Sequence, residues 1–152
     1  MATSDDGLGN LSVRSAAAGD SPALERLIGQ LGYQVTAAEV AARLAAMEQQ
    51  GRLVLVAELG GEVVGCLSTS VMIVLHRPAP VGRISMMVVD AAVRGRGIGA
   101  RLVHAAEQAL VAAGCQLVEV TSNLARTEAH RFYERLGYER TSVRLAREPA
   151  ER

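Results

Sequence analysis

The segment that decides the fold reads VDAAVRGRGIGA and covers residues 89–100. It lies between a β-branched run that predicts a strand and an apolar-periodic run that predicts a helix. Glycines at 95, 97 and 99 let backbone N–H groups turn inward and approach a ligand closely. Because a helix N-terminus favours negative charge, and because Arg94 and Arg96 add two positive charges, the segment predicts a pocket for a pyrophosphate or a phosphorylated cofactor.

Two other phosphate-binding patterns fit the same segment less well. The spacing from Gly95 to Ala100 matches a relaxed dinucleotide fingerprint, and Glu119 follows near the place expected for a ribose-binding acid. In that fold the glycines follow the strand directly, whereas residues 90–94 intervene here. The P-loop pattern is absent from the sequence. A nicotinamide-dependent oxidoreductase is therefore the weaker alternative.

The composition is that of one folded domain. The chain has 152 residues, of which 49% are hydrophobic and 21% charged, and these values exclude a disordered chain. Lys+Arg and Asp+Glu balance at 16 each, which argues against a nucleic-acid binder with a broad basic surface. Aromatic residues make up 3% and Trp is absent, so stacking platforms for single strands are not expected.

Hydrophobic periodicity and turn residues predict the order strand, two helices, three strands, helix, strand, helix, strand. Ser21-Pro22 is interpreted as an N-cap followed by proline at the first helical position, and Thr36 with Glu39 as a capping box. Gly60-Gly61 predicts a hairpin turn. The predicted strands cover residues 11–15, 52–59, 63–75, 84–89, 116–122 and 141–145, and the predicted helices begin at 21, 36, 100 and 127. This alternation predicts an α/β (α+β) fold with a mixed sheet and at least one crossover.

The N-terminal stretch and the cysteines bear on organisation and compartment. Residues 1–10 are polar and acidic, unlike a signal peptide, and are predicted to be a flexible leader before a single domain over residues 11–152. No apolar run is long enough to span a membrane. Cys66 and Cys115 lie in apolar runs without metal-ligand spacing, which is typical of buried, reduced thiols in a cytoplasmic protein.

Two blocks of residues resemble the hallmarks of the GNAT acetyltransferase family. Residues 94–99, RGRGIG, match the family signature R/Q-x-x-G-x-G/A, and residues 84–90 resemble the strand before it. Residues 121–138 are similar to the second hallmark. With the element order, the resemblance covers roughly residues 11–146. It implies a mixed, mostly antiparallel twisted sheet flanked by helices, in which a splayed parallel strand pair holds the cofactor.

The resemblance implies that acetyl-CoA is the co-substrate and lies between the strands at 84–89 and 116–122. Backbone groups of Val88 and Val89 would pair with the pantetheine arm, and the Val88 N–H would polarise the thioester carbonyl as an oxyanion donor. Asn123 matches a position often in contact with the CoA arm, and a helix or turn cap explains it almost equally well. The implied cofactor-binding residues are Val88, Val89, Arg94, Gly95, Arg96, Gly97, Ile98, Gly99, Ala100, Asn123, His130 and Tyr133.

Catalysis in this family is a direct attack of an amine on the thioester through a tetrahedral intermediate. Tyr133 matches the family's general acid, which protonates the departing thiolate, and the alternative reading is a core aromatic beside Phe132. Many relatives carry a glutamate on the strand that here spans residues 83–87, and this chain has none there. Glu119, His76, His130 and a water chain are therefore all open as the general base.

Within the family, these blocks most resemble the aminoalkylphosphonate N-acetyltransferases. Arg83, Arg126 and Arg131 suit the phosphonate or carboxylate of an anionic amine, so the expected partner is a small-molecule amine. The alternatives are a non-catalytic acyl-CoA sensor and a protein N-acetyltransferase. No nucleic-acid, membrane or metal partner is expected, and a homodimer is an assembly that the resemblance allows.

Overall fold

The structure, a computed structural model, describes residues 8–150. These residues form two compact units, one ending at Val120 and the other beginning at Thr121. Of the predicted leader, residues 1–7 lie outside the described part. Leu8 is buried, and its carbonyl accepts a hydrogen bond from the Leu11 N–H at 2.9 Å. Residues 8–10 therefore belong to the folded first unit.

The regular elements follow the predicted order up to the last helix. The strands of the first unit are β1 (Leu11–Ser15), β2 (Val54–Leu59), β3 (Glu62–Met72), β4 (Val81–Val89) and β5 (Leu117–Val120). Its helices are α1 (Ser21–Gln30), α2 (Ala37–Gln49) and α3 (Ile98–Ala112). The second unit contains α4 (Thr127–Arg135).

The five strands form one mixed sheet in the order β1-β2-β3-β4-β5. Neighbours from β1 to β4 are antiparallel, and β5 runs parallel to β4. Parallel neighbours need a crossover connection, and α3 lies in the crossover between β4 and β5. The predicted meander followed by a crossover is confirmed.

Turn and cap chemistry explains several element boundaries. The Thr36 hydroxyl accepts the Glu39 N–H at 3.1 Å at the start of α2, as the capping box predicts. Gly60 and Gly61 join β2 to β3 with φ values of 59° and 87°, which a two-residue hairpin turn of the primed type requires.

The start of α1 differs from the prediction by one residue, because its N-cap is Asp20 rather than Ser21. The Asp20 carboxylate accepts two hydrogen bonds from Arg14 on β1, at 2.8 and 2.9 Å, and one from the Ala17 N–H at 2.7 Å. The Arg14 guanidinium is the main cause that lowers the pKa of Asp20. The carboxylate thus connects β1 to the turn that begins α1.

The sheet is covered on both faces in the first unit. On one face, α1 and α2 pack on a buried cluster formed by Leu24, Leu27, Val40, Val54, Val56, Val63, Cys66 and Val88. On the other face, α3 packs so closely that a Cβ at Gly82 would lie 2.9 Å from the Leu110 Cδ1. Glycine at position 82 therefore allows α3 to approach β4.

An extra residue interrupts the ladder between β3 and β4. Ser68 is opposite Met86, whereas the next residue, Thr69, is opposite Ile84. Ser85 is therefore the inserted residue of a β-bulge. Between the bulge and the loop after β4, side chains and backbone groups therefore point to the opposite sides from those that regular alternation from Val81 would give.

Several predicted boundaries and one predicted strand are wrong: β3 ends at Met72 instead of 75, and α3 begins at Ile98 instead of 100. β4 begins at Val81 instead of 84, and β5 ends at Val120 instead of 122. No strand is present over residues 141–145, where Val143 and Leu145 are 78% and 91% exposed. A short alternating run suits a strand only where a neighbouring strand accepts it, which periodicity alone does not reveal.

Candidate active site

The glycine segment forms a compact turn between β4 and α3. The Asp90 carboxylate accepts the Ala92 N–H at 3.1 Å, and a short 3₁₀ turn follows over Ala91–Val93. Gly95 and Gly97 have φ values of 79° and 85°, and a Cβ at either position would have no atom of the described residues within 4 Å apart from its own residue and chain neighbours. Glycine is therefore required at 95 and 97 by backbone conformation, while the space above them stays open.

Helix α3 begins directly after this turn with an uncapped end. Its N-cap is Gly97, which offers no side-chain acceptor, so no side-chain cap hydrogen bond is present at this helix start among the described residues. The first N–H groups of a helix have no acceptor within the helix, and the helix dipole adds positive potential there. The N–H groups of Ile98, Gly99 and Ala100 can therefore serve an anion.

A network from α1 holds the start of this segment in place. Arg26 donates to the Asp90 Oδ2 at 2.6 Å, and the Gln30 side chain donates to the Asp90 Oδ1 at 3.3 Å. The Gln30 Oε1 also accepts the Ala91 N–H at 2.9 Å. We call Arg26, Gln30, Asp90, Ala91 and Ala92 the Asp90 network. Sequence reasoning missed it, because Arg26 and Gln30 look like ordinary polar positions on an amphipathic helix.

The outer edge of β4 is open beside the glycine segment. Pairing with β5 covers four positions and ends at Ile84 opposite Val120. Within the described first unit, the next five residues of β4 have no strand partner on that side. The implied splay of the parallel pair thus has a structural counterpart: β5 ends while β4 continues.

Hydrogen bonding determines which backbone groups face this open edge. The Asp90 N–H donates to the Val64 carbonyl on β3 at 2.8 Å. Backbone groups alternate in direction along a strand, so the Val88 N–H also faces β3. The N–H groups of Met87 and Val89 face the open edge instead. Consistently, the Val89 carbonyl accepts a hydrogen bond from the Arg94 Nε at 3.0 Å.

Arg83 and Glu119 form an ion pair where β4 and β5 are still paired. They are direct partners in the parallel ladder, and the Glu119 Oε1 accepts from the Arg83 Nε at 2.7 Å and lies 2.5 Å from Nη2. Each side chain is 37% exposed. The sequence singled out both residues but did not predict that they contact each other.

His76 lies away from the open edge. It is exposed in the turn between β3 and β4, shortly before Val81 begins β4. Met87 lies six residues further along the strand, which is about 20 Å. The structure therefore does not bring His76 to the edge where Met87 and Val89 present their N–H groups.

In the second unit, Asn123 precedes α4 and contacts His130, which lies on α4. The Asn123 Oδ1 accepts the Ala125 N–H at 2.9 Å, which is a turn-capping role. The His130 Nε2 lies 2.9 Å from the Asn123 carbonyl oxygen. Asn123 follows the end of β5 at Val120 rather than ending that strand.

Tyr133 lies on α4 between two aromatic rings. Its ring centroid is 5.1 Å from that of Phe132 and 5.8 Å from that of Tyr138, both in edge-on geometry. Burial raises the pKa of Tyr133 to about 12. The phenol therefore keeps its proton at neutral pH, which an acid catalyst requires.

Comparison with known proteins assigns the chain to a class. A model of the "Acetyltransferase (GNAT) family" matches residues 23–138, which is most of the chain. The aminoalkylphosphonate N-acetyltransferase of Salmonella typhimurium is 37% identical over 123 residues, covering 81% of this chain and 78% of that protein. These matches define an enzyme of the acetyl-transfer class.

Solved structures agree on the fold. An acetyltransferase from Trypanosoma brucei is similar with a TM-score of 0.79 and 24% identity, covering 91% of this chain and 99% of that chain. An aminoglycoside N-acetyltransferase in complex with CoA gives a TM-score of 0.80 at 19% identity, covering 92% and 95%. The chain belongs to the GNAT family of acetyltransferases.

Family membership confirms the GNAT-type mixed sheet and the resemblance to aminoalkylphosphonate N-acetyltransferases that the motifs predicted. It excludes the nicotinamide-dependent alternative as the main activity. Among residues 8–150, no helix has the length and apolar character needed to cross a membrane.

Proposed function

We propose that this acetyltransferase takes its acetyl group from acetyl-CoA and transfers it to the primary amine of a small molecule that carries an anion. The observation that carries the proposal is the open edge of β4, which leads directly into the glycine segment and the uncapped start of α3. An extended thioester arm suits a strand edge, and a pyrophosphate suits a helix N-terminus.

The pyrophosphate of acetyl-CoA binds at the turn and the first turn of α3. Positive φ values at Gly95 and Gly97 and the N–H groups of the helix start support this assignment. The residues in this role are Arg94, Gly95, Arg96, Gly97, Ile98, Gly99 and Ala100.

The oxyanion donor is the N–H of Met87 or Val89. These two groups face the open edge, whereas the Val88 N–H faces β3, so the role expected for Val88 moves to its neighbours. A donor of this kind stabilises the negative charge that develops on the thioester oxygen and contributes about 10²–10³ in rate. The Val88 side chain packs in the buried cluster beneath α1 and α2 and thereby stabilises this part of β4.

Protonation of the CoA thiolate is the role we propose for Tyr133, whose raised pKa keeps the phenol protonated. Asn123 and His130 fix the turn before α4 and thereby position the helix that carries Tyr133. Their cofactor contacts stay a prediction.

Removal of the amine proton runs through water to Glu119. Arg83 occupies the Glu119 Oε1, and among the described residues no donor contacts Oε2. That oxygen can accept from a water molecule at the sheet surface. His76 has no part in this pathway, because it lies at the opposite end of β4.

The acceptor is a short amine with a phosphonate or carboxylate group. The Salmonella relative acts, by its name, on aminoalkylphosphonates, and this chain presents Arg83 beside the open edge. A guanidinium binds such anions through two parallel hydrogen bonds. The anion would take the place of the Glu119 carboxylate on Arg83 and leave Glu119 free to accept a proton.

We also propose a single acetyltransferase domain and a cytoplasmic location. The family match crosses the boundary between the two units, which supports one acetyltransferase domain over residues 11–152. Cys66 and Cys115 are buried, free thiols, as expected in the reducing cytoplasm. A homodimer stays a prediction.

The test is calorimetric titration with acetyl-CoA, followed by thiol release in the presence of aminomethylphosphonate. Wild type should bind and release thiol. Gly97→Val should lose binding, whereas Gly114→Val should keep it, because Gly114 has a similar φ of 94° at the other end of α3. Equal affinity for acetyl-CoA in wild type and Gly97→Val would overturn the assignment of the glycine segment.

A further inference from the structure

Two serine hydroxyls form a pair on the sheet face that carries α1 and α2. The Ser68 Oγ on β3 lies 2.9 Å from the Ser85 Oγ on β4, and the Ser85 Oγ also lies 3.3 Å from the Ser68 carbonyl oxygen. Ser85 is the inserted residue of the bulge and is exposed, and Ser68 is half-buried. The bulge thus brings two hydroxyls together at the surface.

Counting hydrogens shows what this pair offers to a ligand. Each hydroxyl has one O–H donor and two acceptor lone pairs. If Ser85 donates to the Ser68 carbonyl, Ser68 donates to Ser85, and both hydrogens are used within the pair. The oxygens then present only lone pairs to the outside. Such a surface accepts hydrogen bonds from an ammonium or an amine.

Along β4, the serine pair lies between Arg83, the proposed anion-binding residue, and Met87, at the edge proposed for the thioester. Arg83 precedes Ser85 by two residues, and Met87 follows it by two, so each is about 7 Å away along β4. Gly82 faces α3, so Arg83 faces the opposite side of the sheet, which is the side of Ser68 and Ser85. The hydroxyls are therefore near both the anion-binding guanidinium and the edge that would hold the thioester.

We propose that Ser68 and Ser85 bind the amino group of the acceptor and hold it for attack on the thioester. The inference rests on the proposed function and adds the residues that recognise the amine. The substrate ammonium donates to the two hydroxyl oxygens and then loses one proton through water to Glu119. Its lone pair forms the N–C bond of the tetrahedral intermediate, and the nitrogen then releases a second proton to water. The C–S bond breaks as the intermediate collapses, and the departing thiolate takes one proton, the role proposed for Tyr133. The roughly 7 Å spacing to Arg83 selects amines whose anion is two or three bonds away.

The experiment compares Ser68→Ala and Ser85→Ala with wild type. Steady-state rates are measured with aminomethylphosphonate and 2-aminoethylphosphonate, and acetyl-CoA affinity by calorimetry. Each variant should lower kcat/KM for the amine about tenfold, as expected for a lost hydrogen bond to a charged group. Acetyl-CoA affinity should not change. Ser85→Thr restores a hydroxyl and should recover the rate.

The matched control is Ser12→Ala, an exposed strand serine on β1, three strands away from β4. It should leave the rates unchanged, and thermal unfolding should show that all variants fold. Rates for both alanine variants within twofold of wild type would overturn the serine proposal alone. A wild type that binds acetyl-CoA but acetylates neither phosphonate, glycine nor ethylamine would overturn the proposed function and, with it, the serine proposal.

Discussion

Tyr133 combines a half-buried ring with a hydroxyl that stays protonated. Its two aromatic neighbours, Phe132 and Tyr138, restrict its rotation, and burial raises its pKa to about 12. A phenol with this pKa is protonated at neutral pH, so it cannot accept a proton there but can donate one to a thiolate in the transition state. The residue therefore suits the acid role better than the base role.

Replacing Tyr133 with Phe keeps the ring and removes only the hydroxyl. We expect turnover to fall about 10²–10⁴-fold, the usual contribution of a general acid, with acetyl-CoA affinity nearly unchanged. Thiol release and calorimetry measure the two quantities. Tyr33→Phe is the control, because Tyr33 is 63% exposed and should not affect the rate. Full turnover in Tyr133→Phe across the pH range would assign the acid elsewhere.

Candidate site residues could be singled out from the sequence where the residue type defines the motif, but not where a role depends on the side to which a backbone group points. Gly97 and Tyr133 could be singled out because their side chains, or the lack of one, define the motif. The Val88 N–H could not be assigned, because a backbone group faces one side or the other according to a bulge that no residue type signals. The pairing of Arg83 with Glu119 likewise depends on strand register.

At the scale of elements, the Asp90 network connects α1 to the turn that precedes α3. Four hydrogen bonds between 2.6 and 3.3 Å hold Asp90 and the backbone of the next two residues. The network pre-orders a segment that would otherwise lose conformational entropy on binding a ligand. If acetyl-CoA binds this segment as proposed, helix α1 contributes to its affinity by ordering the turn in advance.

We expect Gln30→Ala to weaken acetyl-CoA binding about three- to tenfold, because it removes two hydrogen bonds of the Asp90 network. Arg43→Gln on α2 is the control, since it removes only an exposed ion pair with Glu39. Calorimetry gives both affinities, and amide exchange at Ala91 and Ala92 reports the order of the turn. An unchanged affinity together with faster exchange would show that the turn orders itself on binding.

The pH dependence of this network follows from Asp90. The Ala92 N–H and then Arg26 lower the pKa of Asp90 below its ordinary value. A lowered carboxyl pKa contributes stability that is complete above the ordinary Asp pKa of about 4 and is lost as pH falls through the lowered value. Acetyl-CoA affinity should therefore show no loss from Asp90 between pH 8 and 5, whereas a decline centred near pH 6 would implicate another group.

Element boundaries were predictable where local chemistry determines them. The Thr36 cap, the Gly60-Gly61 turn and the periodic apolar residues of α3 act within a few residues of each other. The start of β4 could not be predicted, because Gly82 looks like a loop residue until its close contact with Leu110 is known. The prediction of a strand at 141–145 is wrong for the same reason, since strand formation needs a partner outside the local sequence.

For the whole molecule, ligand binding should raise the thermal stability. At a concentration of 100 times its Kd, acetyl-CoA adds about 2.7 kcal/mol to the free energy of unfolding. For a chain of this size that corresponds to an increase in Tm of about 5–10 °C. NADH at equal concentration is the control and should give no increase. A larger increase with NADH than with acetyl-CoA would contradict the cofactor assignment.

The residue inserted at position 85 reverses which residue numbers lie on each face of β4. Before it, the even-numbered Gly82 faces α3, whereas after it the even-numbered Met86 and Val88 face α1 and α2. A relative that lacked this one residue would keep every letter of the glycine signature. Because Met86 would still lie opposite Ser68, the equivalents of Met87 and Val89 would still present their N–H groups to the open edge, but the hydroxyl of Ser85 would be missing. Membership in the family can thus be judged from the motif, whereas the proposed binding of the acceptor amine depends on one residue inserted in the strand before it.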